Sequence, residues 1–172
     1  MPRNIEIKAR IDSVAALAAR AAAIATQGPV EIAQDDTFFR CETGRLKLRA
    51  FSATEGELIF YRRADAQGPK ESFYVRTPTS TPDSLRECLG LAYGRVGRVV
   101  KHRTLYLVGR TRVHLDQVEG LGHFMELEVV LGETEPVEVG VAEAHALMAT
   151  LGVQPSQLVE TAYVDLLAAA DR

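Results

Sequence analysis

Cysteine, tryptophan, lysine and long apolar runs are scarce or absent in this chain. Its 172 residues hold two cysteines, Cys41 and Cys88, and no tryptophan. Two cysteines make neither a disulfide framework nor a zinc site. No apolar stretch approaches the roughly 20 residues that span a bilayer. Met1–Asn4 leads into an alternating pattern, not into the apolar core of a signal peptide. The cytoplasm is the expected compartment, with no membrane partner. Neither sign of charge dominates: 20 basic residues face 23 acidic ones, for a net charge of −3. That balance argues against nucleic acid as a partner and leaves room for a local basic pocket. An apolar fraction of 47% and a charged fraction of 25% are ordinary globular values. The length suits one core, so a single domain over residues 1–172 is expected.

Arginine outnumbers lysine 16 to 4. Where arginine is the default cation, each retained lysine is a candidate for a specific task. An ammonium is a compact point charge that meets phosphate from several directions, whereas guanidinium prefers a planar fork. Lys8, Lys47 and Lys101 fall inside dense charged alternations, and Lys70 precedes one.

The organisation is that of a strand-rich α+β protein without linkers, repeats or low-complexity runs. Asn4–Ile11 alternates strictly. A helix is expected from Asp12 or Ser13 to Gln27, ended by Gly28-Pro29. Strands are expected over Glu31–Arg40, Arg45–Ser52, Glu57–Arg63 and Glu71–Pro78, with Gly44, Gly56 and Gly68-Pro69 at the turns. A helix over Pro82–Leu91 follows, capped by Thr81. Strands are then expected over Arg95–Val108, Arg112–Val118 and His123–Leu131, and helices over Val141–Leu151 and Pro155–Ala169. Eight short-turned strands point to an antiparallel sheet and suit closure into a barrel with helices packed outside.

Residues two apart on a strand share a face. Asn4, Glu6, Lys8 and Arg10 share one, with Ile5, Ile7, Ala9 and Ile11 on the other. Arg45, Lys47 and Arg49 alternate with Leu46 and Leu48. Lys101 and Arg103 share a face, as do Arg112, His114 and Asp116, and Glu126 and Glu128. A plain wet face would mix Ser, Thr and Gln among scattered charges. These faces are almost wholly ionic, and Lys, Glu and Asp are poor strand formers. Their signs are also segregated. Curling the sheet with these faces inward makes a cavity with a cationic wall and a carboxylate cluster. Such a cavity fits a triphosphate, held by cations and a divalent metal. Mg²⁺ and Mn²⁺ take hard carboxylate oxygens. Glu126-Leu127-Glu128 offers them from one face, with Glu6 and Asp116 as additions. Tyr61, Phe73 and Tyr74 read as strand packing more readily than as a base-stacking platform.

These residues resemble the CYTH superfamily, which joins class IV adenylate cyclases, thiamine triphosphatases and inorganic triphosphatases on a triphosphate-tunnel barrel. Asn4-Ile5-Glu6-Ile7-Lys8 is similar to its N-terminal ExExK motif, and Lys101–Tyr106 to its basic KxRxLY-like strand. Arg112–Gly122, followed by Phe124 and Glu126-Leu127-Glu128, resembles the stretch RIHLDxVxxLGxFxExE. With Leu46–Arg49 and Lys70–Tyr74 the likeness covers most of the chain. It implies metal binding by Glu6, Glu126 and Glu128 with Asp116 beside them, and Mg²⁺ or Mn²⁺ as cofactor. It implies phosphate binding by Lys8, Lys47, Arg49, Lys101 and Arg103, with Lys8, Lys101 and Arg103 carrying catalysis. Arg112 is expected to point inward as well. Arg62 resembles the basic residue after a Tyr in the family's fourth strand. Its neighbour Arg63 shares a face with Tyr61, and alternation does not separate the two. His114 is either a tunnel residue or a structural hydrogen-bonder. The chain departs from the family at Asn4, where ExExK has its first Glu, which leaves an oxygen without its charge.

The implied activity is adenylate-cyclase-like, ATP giving cyclic AMP and pyrophosphate. The alternatives are hydrolysis of an inorganic, thiamine or nucleoside triphosphate, and non-catalytic binding of polyphosphate or nucleotide. Homodimerisation is left open.

Overall fold

A computed structural model describes residues 2–63 and 68–171. Within them the alternating segments fold as eight antiparallel strands. These are β1 (Arg3–Arg10), β2 (Gln27–Phe39), β3 (Arg45–Ala50), β4 (Gly56–Arg63), β5 (Lys70–Thr79), β6 (Arg95–Val108), β7 (Thr111–Val118) and β8 (Gly122–Leu131). They close into a barrel in the order β1-β5-β4-β3-β2-β6-β7-β8. Closure removes the unpaired edges that an open sheet would leave.

Register decides what meets inside. Glu6 lies opposite Glu128 and Lys8 opposite Glu126 across β1 and β8. Arg103 lies opposite Asp116 across β6 and β7, and Asp36 opposite Arg49 across β2 and β3. The charged faces point in. The apolar faces point out, where Ile5, Ile7, Val113, Leu115, Met125, Leu127 and Val129 are almost fully buried. Helices α1 (Val14–Ile24) and α3 (Val137–Leu151) cover them. Ser13 caps α1 by accepting from the Ala16 amide. Helix α2 (Pro82–Tyr93) packs against β2 and β3. A core outside and a charged cavity inside is the reverse of the usual antiparallel arrangement.

Three expected boundaries move. Helix α1 stops at Ile24, and Gly28-Pro29 belongs to β2. Gly28 has φ +105°, and a Cβ there would lie 2.6 Å from the Leu105 carbonyl oxygen, so the glycine allows β2 to lie tight against β6. Helix α3 starts at Val137, four residues earlier than expected. Gly140 sits inside it because a Cβ would stand 2.7 Å from Ile5 and Leu131 side-chain carbons.

The third change reshapes the interior. The helix expected over Pro155–Ala169 is broken into a 3₁₀ turn, Pro155–Gln157, an extended stretch over 158–162, and α4 (Tyr163–Ala170). Among the described residues, pairing of β1 with β5 covers only Arg3–Glu6. Beyond Glu6 that side of β1 needs another partner, because backbone groups require one. Leu158 bridges to Ala9, and the Val159 amide donates to the Lys8 carbonyl at 2.9 Å. The chain thereby enters one end of the barrel, where Ala162, Tyr163 and Val164 pack on Phe38, Val99, Val118 and Phe124.

Candidate functional site

The barrel encloses a cavity of about 300 Å³ lined by side chains from all eight strands and by Ala162, Tyr163 and Val164. One wall is cationic. Lys47 and Arg49 reach it from β3, and Lys101 and Arg103 from β6. Between these strands Asp36 of β2 accepts two hydrogen bonds from Arg49, Nε and Nη2, both at 2.8 Å. The Lys47 ammonium is 3.2 Å from the same carboxylate and the Lys101 ammonium 3.9 Å. Burial pushes Asp36 up, but Arg49, Lys47 and Lys101 outweigh it and hold the carboxyl well below its ordinary range. Burial pulls Lys101 well down, with Arg103 and Arg49 adding to the pull. One carboxylate shared by three cations leaves this wall hungry for anions.

Acidic groups oppose the wall. Glu6, Glu126 and Glu128 line the cavity beside Asn4. Burial, reinforced by Glu128, pushes Glu6 up to about 7 against the pull of Arg63. Burial also raises Glu126, but Lys8, Arg103 and Lys101 overcome it and hold the carboxyl well below its ordinary range. Asn4 donates from Nδ2 to Glu128 Oε2 at 2.9 Å, while its buried Oδ1 has no hydrogen-bond partner among the described residues. Burial and the Arg103 charge lower His114 to about 3. Its ring is therefore neutral at pH 7, and Nδ1 stands 3.2 Å from Glu128 Oε1 without hydrogen-bond geometry.

The closing segment forms the floor. Lys8 Nζ donates to the Thr161 carbonyl and Lys70 Nζ to the Glu160 carbonyl, each at 3.0 Å. Burial lowers Lys8 to about 8.

The acidic donors suit a hard divalent cation in kind: three carboxylates and an amide oxygen that lacks a partner. Among the described residues no group of three or more His, Cys, Asp or Glu side chains is already gathered for a metal. Glu6 instead accepts from Arg63 at 3.4 Å and Glu126 from Arg103 at 3.3 Å.

The CYTH domain model matches residues 2–163. The chain belongs to the CYTH family. Solved structures share the fold. A Pyrococcus horikoshii protein, PH1012, is 20% identical with a TM-score of 0.84, over 95% of this chain and 99% of its own. A Vibrio parahaemolyticus protein, described as a candidate adenylate cyclase, is 17% identical with a TM-score of 0.74, over 96% and 97%. HpAC1 of Hippeastrum, a candidate adenylyl cyclase described as having a dominant triphosphatase activity, is 16% identical with a TM-score of 0.65, over 98% and 96%. No curated protein matches the chain.

Within this CYTH barrel most of the sequence-selected residues meet. Glu6, Lys8, Lys47, Arg49, Lys101, Arg103, Arg112, Glu126 and Glu128 all line the cavity. Two do not. Asp116 is fully buried, accepts from Arg103 Nε and Nη2 at 2.8 Å, and accepts from the Tyr163 hydroxyl at 2.9 Å. Those bonds engage both its oxygens, and it stands behind Arg103, whose Nη2 also reaches Glu126. Arg62 is exposed and lies over Phe60 and Phe73, while Arg63 lines the cavity. Each face of β4 sets apolar or aromatic residues beside an arginine, Leu58 and Phe60 with Arg62 and Ile59 and Tyr61 with Arg63, which hid the choice. Tyr61 and Tyr74 also line the cavity and Phe73 does not.

Sequence reasoning left Arg62 and Arg63 unseparated and passed over Asp36 and Tyr163 as site residues. Asp36 is a lone inward charge between Gln34 and Phe38, and Tyr163 was hidden in an expected helix.

Proposed function

We propose that this CYTH protein is a divalent-metal-dependent enzyme acting on a triphosphate bound inside the barrel. The carrying observation is the cationic wall of Lys47, Arg49, Lys101 and Arg103 facing Glu6, Glu126 and Glu128 within one cavity. Burying so many charges is costly unless a ligand of matching charge repays it.

Lys8, Lys101 and Arg103 surround the phosphoryl oxygens and offset the negative charge that develops on them, which is most of what phosphoryl-transfer catalysis requires. Lys47, Arg49 and Arg112 bind the rest of the phosphate chain. Asp36 and Asp116 keep Arg49 and Arg103 aimed inward. Glu6, Glu126 and Glu128 hold the cation, joined by the unpaired Asn4 Oδ1, which restores an oxygen where the family motif has a carboxylate. Mg²⁺ or Mn²⁺, when bound, neutralises triphosphate charge and polarises the phosphorus under attack. A hydrogen-bonded, enclosed site of this kind gains strength as water is excluded.

The leading reading is class IV adenylate-cyclase-like: the ribose 3′ oxygen of ATP attacks the α-phosphorus and pyrophosphate leaves. The second reading, hydrolysis of the triphosphate, draws support from the triphosphatase activity described for HpAC1. The test is incubation of purified protein with Mg²⁺ or Mn²⁺ and ATP, tripolyphosphate or thiamine triphosphate. Cyclic AMP with pyrophosphate supports the cyclase, and orthophosphate the hydrolase. Binding without turnover makes the protein a binding module. No binding of any triphosphate overturns the proposal.

A further inference from the structure

Tyr163 opens α4 and is 5% exposed, at the floor of the cavity. Its ring meets two of the four lysines. Lys8 Nζ lies 4.4 Å from the ring centroid and Lys101 Nζ 5.0 Å. The lysines come from β1 and β6, which are not neighbours in the barrel. The Tyr163 hydroxyl donates to Asp116 Oδ2 at 2.9 Å, the oxygen that also accepts from Arg103 Nη2 at 2.8 Å. Phe124 fixes the ring edge-on, with centroids 4.9 Å apart.

We infer that Tyr163 is a positioning residue of the phosphate site: its ring holds the Lys8 and Lys101 ammonium groups together at the closed end, and its hydroxyl, through Asp116, aims Arg103. This rests on the reading of the cavity as a triphosphate site. Two buried ammonium groups repel each other, and contact with one aromatic ring offsets part of that repulsion before an anion arrives. A residue serving only to fill the floor needs neither contact, because phenylalanine or leucine fills comparable space. The terminal stretch therefore does more than close the barrel. It supplies a ring that two of the cavity's lysines contact and a hydroxyl that reaches Arg103 through Asp116.

The test uses the full chain with Tyr163→Phe and Tyr163→Leu, and Tyr163→Met in place of the latter should it not fold. With only four lysines, ¹³Cε-labelled lysine gives a spectrum in which each signal can be assigned by substitution. The Lys8 and Lys101 signals are expected upfield from the ring current, unchanged in Tyr163→Phe and lost in Tyr163→Leu. Mg²⁺-tripolyphosphate affinity, by calorimetry, is expected to stay within about threefold in Tyr163→Phe and to fall about tenfold in Tyr163→Leu. In a Lys8→Met background the same leucine substitution is expected to cost less, since its partner is gone. Tyr163→Phe is expected to shift the Arg103 Nε–H resonance, and an unmoved resonance overturns the hydroxyl's part. Wild-type lysine signals in Tyr163→Leu overturn the inference, as does an equal loss of affinity in the phenylalanine and leucine variants. Wild-type protein that binds no tripolyphosphate overturns the triphosphate reading instead, and the lysine spectrum then decides the inference alone.

Discussion

Asp36 and Arg49 face each other across β2 and β3 in a two-pronged ion pair, both hydrogen bonds 2.8 Å long and both residues buried. A lone buried cation is costly, and this carboxylate also stands within 4 Å of Lys47 and Lys101. Asp36→Asn removes the one anion among three cations and is expected to destabilise the protein by about 3 kcal/mol at neutral pH. The sign of the pH dependence follows from the carboxyl lying below its unfolded value. Its contribution is present above about pH 4, the unfolded pKa, and fades as pH falls through the folded one. Urea melts of wild type and variant should therefore converge toward acid. Added tripolyphosphate should narrow the gap at neutral pH, because it replaces the missing negative charge.

Lys8 titrates near 8 in the folded protein and near 10.5 when unfolded. Between those values the unfolded chain holds a proton that the folded one has released, so this group makes stability rise with pH across that window. Anion binding runs the other way, because it needs the ammonium. Triphosphate affinity is expected to decline above about pH 8, by up to about tenfold per pH unit from this residue. Lys8→Arg should flatten that part of the profile, as guanidinium stays charged. An identical slope in the variant would assign the decline to another group.

The proposed metal site is on the carboxylate side. Glu126→Gln removes a charge that Lys8, Arg103 and Lys101 hold ionised. Turnover is expected to disappear in Glu126→Gln, and also in Lys101→Ala, while circular dichroism remains that of the wild type. Chelation of divalent ions should silence the wild type and be reversed by Mg²⁺ or Mn²⁺. Full activity in either variant would remove these site assignments.

The mouth away from Tyr163 carries its own signature. Ile32 of β2, Phe51 just past β3 and Leu105 of β6 line that end of the cavity on neighbouring strands. Inorganic tripolyphosphate has nothing to place against them, whereas a nucleobase does. Phe51→Ala is expected to weaken ATP binding about tenfold and to leave tripolyphosphate binding unchanged. Calorimetry with both ligands separates the two outcomes, and an equal effect on both would contradict a base at this mouth.

The charged strand faces were readable because strand geometry forces a period of two. Asn4, Glu6 and Lys8 on β1, or Glu126 and Glu128 on β8, cannot point inward unless Ile5, Ile7 and Leu127 point outward. What stayed hidden depends on contacts distant in sequence. Asp36 acquires its role only when β3 and β6 flank β2 and bring Arg49 and Lys101 to it. Residues 158–162 favour a helix by local pattern and become extended because β1 needs a partner beyond Glu6. Asp116 keeps the alternation of Arg112 and His114, yet its place opposite Arg103 engages it with that guanidinium and with Tyr163, off the cavity lining where the sequence pattern puts a metal ligand. Tyr163 follows from that same break in the terminal helix.

Calorimetric titration of Mg²⁺-ATP and Mg²⁺-tripolyphosphate into wild type and Arg103→Ala bears most directly on whether the barrel interior is a triphosphate site. One bound triphosphate per chain, with affinity falling at least about tenfold in the variant, is the expected result. Absence of binding to the wild type, or undiminished affinity in Arg103→Ala, would contradict it.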